Sequence, residues 1–208
     1  MQDNLLLPQH AGSLLRGQFG AALRRTACMT RKPTCAGCAL LRTCPYPEIF
    51  ETPPPAEHRL QKFSQVPNPY VIEPPPFGTR SVAAGDRLVF DIVLVGRAIE
   101  RLALVVHAFR RALAQGLGRR RARGVLETVA VEDGDRWREI WSAGRGEILA
   151  HDAVLSVPAF ADVRSATLRI VTPLRLQNDG RPLSIERLSP RALITNLMRR
   201  ATLLLELH

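Results

Sequence analysis

Four cysteines carry the plainest chemistry in this sequence. Cys28, Cys35, Cys38 and Cys44 are spaced C-x6-C-x2-C-x5-C and are all the cysteines the chain has. A C-x2-C pair places two thiolates on one metal within a tight turn, and flanking loops fold back to supply two more. Gly37 between the paired cysteines, with Pro33 and Pro45 outside them, suits a knuckle over 28–45 better than a regular element. The spacing points to a structural zinc ion, because four protein ligands leave no position open for water. An iron–sulfur cluster is the alternative, kept open by the Cys44-Pro45 ending. Unligated thiols or a pair of disulfides are the plainer readings.

Charge is the second signature. The chain of 208 residues has a formal net charge of +10, and its 29 basic residues are all arginine except Lys32 and Lys62. Arginine grips phosphate bidentately and stacks on bases, so this balance points to nucleic acid. A GC-rich coding bias explains arginine over lysine but not the positive surplus. Aromatic residues are only 5%, which favours gripping the backbone over stacking bases on a platform. The charge gathers in the loop GLGRRRARG, 116–124. There Gly116 and Gly118 let a backbone approach phosphates, and Arg119, Arg120, Arg121 and Arg123 neutralise them. The loop follows a helix and so lacks the strand-to-helix setting of a dinucleotide fingerprint. A solvated basic turn is the plain alternative.

These residues need elements to hold them. Ser13 opens a helix over 13–27 as its cap, and Leu15, Phe19 and Leu23 make its apolar stripe. Arg16, Arg24 and Arg25 stand off that stripe as further cations for nucleic acid. Gly17 and Gly20 each lower helix propensity by roughly 1 kcal/mol, which suggests close approach of a strand or a phosphate chain. Proline clusters at 53–55 and 74–76 bracket an irregular segment with a short edge strand at 68–73. A strand is expected at 87–95, where Asp91 interrupts the β-formers, and a helix at 98–115 with Ile99, Leu102, Val106, Phe109 and Leu113 along one stripe. Strands at 125–131 and 137–141 flank an Asp133-Gly134 turn. A further strand is expected at 166–176, then a helix capped by Ser189-Pro190 and running to 207, with Ile194, Leu197, Ala201 and Leu204 on its apolar face.

The element order is that of an α+β, ferredoxin-like (RRM-like) domain over 1–150, followed at 151–208 by the first strand and helix of a second such domain. The rest of that second unit is expected to lie outside this chain or to come from a partner. Hydrophobic residues make up 46% of the chain, which excludes a disordered protein. No apolar run approaches the ~20 residues of a membrane span. MQDNLLLPQH does not read as a signal peptide, so a cytoplasmic setting with reduced thiols is expected.

Taken together, GSLLRGQFGAALRR, the cysteine knuckle ending CPYPEIFE, NPYVIEPP and the 116–124 loop resemble the RAMP superfamily, the repeat-associated RNA-binding proteins of CRISPR systems. The nearest likeness is to the cysteine-bearing branch of the sixth CRISPR-associated family, the endoribonucleases that process precursor RNA. The resemblance implies tandem ferredoxin-like domains, a Gly-rich RNA-binding loop, CRISPR repeat RNA as substrate and effector-complex subunits as possible partners. It implies cleavage without a catalytic metal: a ribose 2′-hydroxyl attacks the adjacent phosphate, leaving a 2′,3′-cyclic phosphate and a 5′-hydroxyl. Such chemistry wants a base near neutral pKa and a cation on the developing charge. His58 is the first candidate base and His10 the second; Arg31 or Lys32 would supply the cation. His107 beside its helix stripe reads as structural. A catalytically inactive RNA-binding subunit is the alternative function, and an unrelated DNA-binding zinc knuckle a third.

Overall fold

The computed structural model describes residues 1–55, 66–154, 159, 163–178 and 181–208. The chain is α+β. Helix α1 (Ala11–Ala27) and helix α3 (Leu102–Gln115) pack on each other through the stripes that their sequences lay down. Leu15, Phe19 and Leu23 of α1 are buried, as are Val106, Phe109 and Leu113 of α3. Phe19 stacks on Phe109 with ring centroids 4.7 Å apart and meets Tyr70 edge-on at 5.4 Å. Full burial of a ring such as Phe19 stabilises by about 1.5–3 kcal/mol, so this crossing anchors the core.

Two local expectations change. The cap of α1 is His10, and Ser13 lies inside the first turn, donating its hydroxyl to the His10 carbonyl at 3.1 Å. The helix expected from 98 begins as a 3-10 turn, Gly96–Arg101, which rotates Ile99 out of the stripe to 52% exposure. One helix is an addition: α2 (Pro45–Phe50) follows the knuckle directly and buries Tyr46, Pro47 and Ile49. Its Phe50 explains Gly20, because a Cβ there would overlap the Phe50 ring. The close approach to α1 is thus an aromatic ring, and at Gly20 alone: a Cβ on Gly17 would meet nothing within 4 Å.

The strands are short and pair two by two. β1 (Leu5–Leu6) pairs with β3 (Ser81–Val82), β2 (Tyr70–Glu73) with β4 (Asp91–Leu94), β5 (Thr128–Asp133) with β6 (Arg136–Ser142), and β7 (Gln177–Asn178) with β8 (Arg181–Pro182), all antiparallel. Among the described residues no four-stranded sheet of the ferredoxin-like kind forms. The expected strand 87–95 pairs only over 91–94, leaving 87–90 unpaired. The β5–β6 hairpin turns at Gly134 (φ 62°) with a register shift at Val129/Ala130.

Beyond 151 the chain packs sparsely. The expected strand 166–176 is irregular, and only β7 follows it. Helix α4 (Pro190–Leu207) starts where its sequence says, with Ser189 Oγ accepting from Ala192 N at 3.2 Å. It buries no residue, and Ile194 and Leu197 of its apolar face are exposed. Its end docks through His208, whose Nε2 lies 2.8 Å from the Pro67 carbonyl.

Candidate functional site

The four cysteines line one small cavity of about 20 Å³ with Thr30, Lys32 and Tyr46. The end of α1 and the start of α2 position them: Cys28 caps α1 at its C-terminus and Cys44 caps α2 at its N-terminus. Between them Cys38 N donates to Cys35 O at 3.1 Å, the tight turn expected of C-x2-C. Arg24 clamps the loop to α1, its Nη2 donating to the carbonyls of Lys32 (2.5 Å) and Pro33 (2.7 Å) while its guanidinium lies over Tyr46. On the far side the Tyr46 hydroxyl donates to Glu51 Oε1 at 2.7 Å.

All four sulfurs are free thiols, and no disulfide links them. The Thr30 hydroxyl stands between two of them, 3.9 Å from Cys28 Sγ and 3.6 Å from Cys38 Sγ. No group of three or more His, Cys, Asp or Glu side chains among the described residues is arranged to hold a metal as it stands. Burial pushes the Cys35 thiol up, whereas the Thr30 hydrogen bond and the Leu40 amide hold Cys38 below its ordinary value. The donor set nevertheless fits a thiolate-bound metal in kind: four sulfurs converge on one cavity with no competing carboxylate or imidazole in its lining.

The basic loop lies at the other end of α3. Leu117 and Ala122 exchange backbone hydrogen bonds (2.8 and 3.0 Å), closing a tight turn in which Arg121 N donates to Gly118 O at 3.2 Å. Gly116 has φ 94°, and a Cβ there would strike the Arg121 carbonyl. Only glycine lets the loop fold back so closely. Buried Leu117 and Ala122 root the turn in a core with Leu5, Leu15 and Leu113. The side chains of Arg119, Arg120 and Arg121 are left exposed at its tip, with no hydrogen bond or ion pair to any described residue.

Arg123 has a different position. Its backbone N–H and Nε both reach Asp3 Oδ2, at 3.0 and 3.1 Å, and its carbonyl accepts from Gln2 and Asp3. The backbone hydrogen bond from Arg123, then its guanidinium, hold the Asp3 carboxyl below the usual range. A carboxyl depressed on folding stabilises above its unfolded pKa, and that contribution is lost as pH falls through the folded value. Acidification below about pH 4 is therefore expected to weaken the Asp3 carboxylate's hold on the Arg123 amide and guanidinium. Faster exchange of the Arg123 amide at pH 3 than at pH 6, relative to the intrinsic rates, checks this, and Asp3→Asn should remove the pH dependence.

The other expected RNA contacts have intramolecular partners. Arg25 donates to Gln115 Oε1, and Arg16 lies over the Phe50 ring at 4.7 Å. Of the catalytic candidates, His58 lies outside the described residues. His10 is exposed at the head of α1, with its ring close to Gly12. Lys32 Nζ donates to Gly37 O at 3.3 Å within the knuckle, and Arg31 is exposed with φ 54°. The structure does not bring His10, Lys32 and the basic loop into one cluster. Thr30 and Asp3 are the contributors that sequence reasoning missed; Asp3 lies 120 residues from its partner and left no local signal.

Residues 1–153 match a family model described as AF_1859_N, N-terminal domain. The chain belongs to that family. The matched span contains the knuckle, both packed helices, the basic loop and the β5–β6 hairpin. An uncharacterised protein of Archaeoglobus fulgidus is 29% identical over 135 residues, covering 65% of this chain and 44% of the relative. No solved structure gives a significant match.

Proposed function

We propose that the chain binds CRISPR repeat RNA through phosphate contacts and takes part in its processing as a metal-independent endoribonuclease. The observation that carries RNA binding is the 118–121 turn. It is rooted in the core, closed tightly where Gly116 lets the chain fold back, and tipped with three arginines that no described group neutralises. A turn whose backbone is already fixed loses little entropy on gripping a phosphate chain. The cleavage part rests on the resemblance to the RAMP processing endoribonucleases, with His58 or His10 as base and Lys32 as cation. Incubating the protein with labelled repeat RNA in EDTA tests both parts. Products ending in a 2′,3′-cyclic phosphate support the enzyme, and no binding removes the reading altogether.

Binding without cleavage would favour the alternative, a catalytically inactive RNA-binding subunit that works with effector-complex partners. One observation points that way: none of the described histidines (His10, His107, His151, His208) is hydrogen-bonded to a carboxylate that would orient it as a base.

Cys28, Cys35, Cys38 and Cys44 are proposed to hold one structural zinc ion. The metal would tie the end of α1 to the start of α2, as Arg24 already does from outside. Purified protein is expected to carry about one equivalent of zinc by elemental analysis, and Cys38→Ser to lower it. Iron with visible absorbance would instead give the iron–sulfur alternative.

A further inference from the structure

An open groove of about 570 Å³ separates the two longest strand pairs. Its walls are the chain at 87–92 and at 125–130, and α3 lines it through Leu102, Val105, Val106 and Phe109. Met1 also lines it. The first wall includes β4, whose other side is taken by β2; the second includes β5, whose other side is taken by β6. Two unpaired strand edges therefore face each other above an apolar helix. That is the geometry of a sheet with a strand left out, and such edges seek a partner.

The faces of the missing strand can be read from its walls. Phe90 and Ile92 pack against the core, so alternation turns Val89 and Asp91 to the outer side. Leu126 packs inward likewise, which turns Val125 and Glu127 outward. A fitting strand needs an apolar inner face over α3 and an outer face that suits valines with the carboxylates of Asp91 and Glu127.

Residues 166–172 have that pattern. Leu168, Ile170 and Thr172 fall on one face, and Thr167, Arg169 and Val171 on the other. Pro173, which has no N–H for a ladder, ends the run. In the structure this segment is irregular and lines no part of the groove, and Leu168 and Ile170 are 67% and 51% exposed. The segment can reach: Leu149 is fixed beside β6 by its N–H to Ile140 O, and the roughly 17 residues from there to 166 extend to about 55 Å.

We propose that residues 166–172 close into this groove as a strand, pairing with both edges and joining β2–β4 and β5–β6 into one sheet. Leu168 and Ile170 then pack over the part-buried Leu102, Phe90 and Ile92 that line the groove. Arg169 lies on the outer face between Asp91 and Glu127, where Glu127 now holds Arg87 at 3.4 Å. Tethering in the same chain favours this occupant over any free strand.

Hydrogen exchange on the intact chain, read by peptide mass spectrometry, tests the closure. Wild-type protein should protect 87–90 and 125–127, which the β2–β4 and β5–β6 ladders leave unpaired, together. Leu168→Asp with Ile170→Asp should speed exchange in both by about tenfold or more while α1 and α3 stay protected. If that double variant unfolds, Arg169→Glu decides: faster exchange at both edges supports the closure, and unchanged exchange overturns it. Rapid exchange at both edges in the wild type would overturn it too. Protection that rises with protein concentration, in step with a dimer, would assign the groove to a second copy and overturn the intramolecular strand.

Discussion

Replacing Arg119, Arg120 and Arg121 together with alanine is expected to weaken binding of repeat RNA roughly 40-fold near 0.15 M salt. Each single-stranded phosphate neutralised contributes about 0.7 to the slope of log affinity against log salt, so three contacts contribute about 2. Carried from 1 M to 0.15 M salt, that slope is the stated factor. The three side chains are exposed, their turn is closed by its own backbone bonds, and no described residue competes for them. The variant should therefore fold and melt like the wild type. Arg123→Ala provides the contrast: its guanidinium already holds Asp3, so it should loosen the N-terminal strand while changing the salt slope by less. Fluorescence titration at four or five salt concentrations measures both. An unchanged slope in the triple variant would make the loop an ordinary basic turn.

What could be read from the sequence follows the range of the interaction. The stripe Leu15, Phe19, Leu23, the Gly134 hairpin and the Ser189 cap of α4 are set by neighbours a few residues apart, and the structure has them. The tight turn at Cys35 and Cys38 is equally local. Strand pairing is not: RLVFDIVLV has the β-forming composition along its whole length, yet only 91–94 finds a partner, because pairing depends on segments distant in the chain. The arginines divide the same way. Arg24 and Arg119 look alike as cations in the sequence, but one faces two carbonyls at the knuckle and the other faces water. Composition gives the number of charges; only the fold shows which of them are already taken. Phe50 against Gly20 and Arg123 against Asp3 were hidden for the same reason.

A single 2′-deoxy substitution immediately 5′ to the scissile phosphate is expected to abolish cutting while leaving affinity nearly unchanged. The attacking 2′-hydroxyl is needed at that nucleotide alone, whereas affinity is spread over many phosphates. Cleavage should persist in EDTA, since the zinc proposed for the knuckle would be structural with four sulfur ligands and no open position. Removing only the general base typically costs 10²–10⁴-fold in rate, so His58→Ala should bind RNA normally and cut slowly if His58 is that base. His10→Ala is the parallel experiment. His10 caps α1 without a side-chain cap bond, so its loss should leave the helix intact and any rate effect should be chemical. Lys32→Ala tests the cation, with one check: Lys32 also holds Gly37 O, so zinc content must be unchanged for a rate loss to count. Full activity in both histidine variants would assign the base to another group. Intact binding with no product in the wild type would instead leave an RNA-gripping subunit, with the 118–121 turn as its working surface.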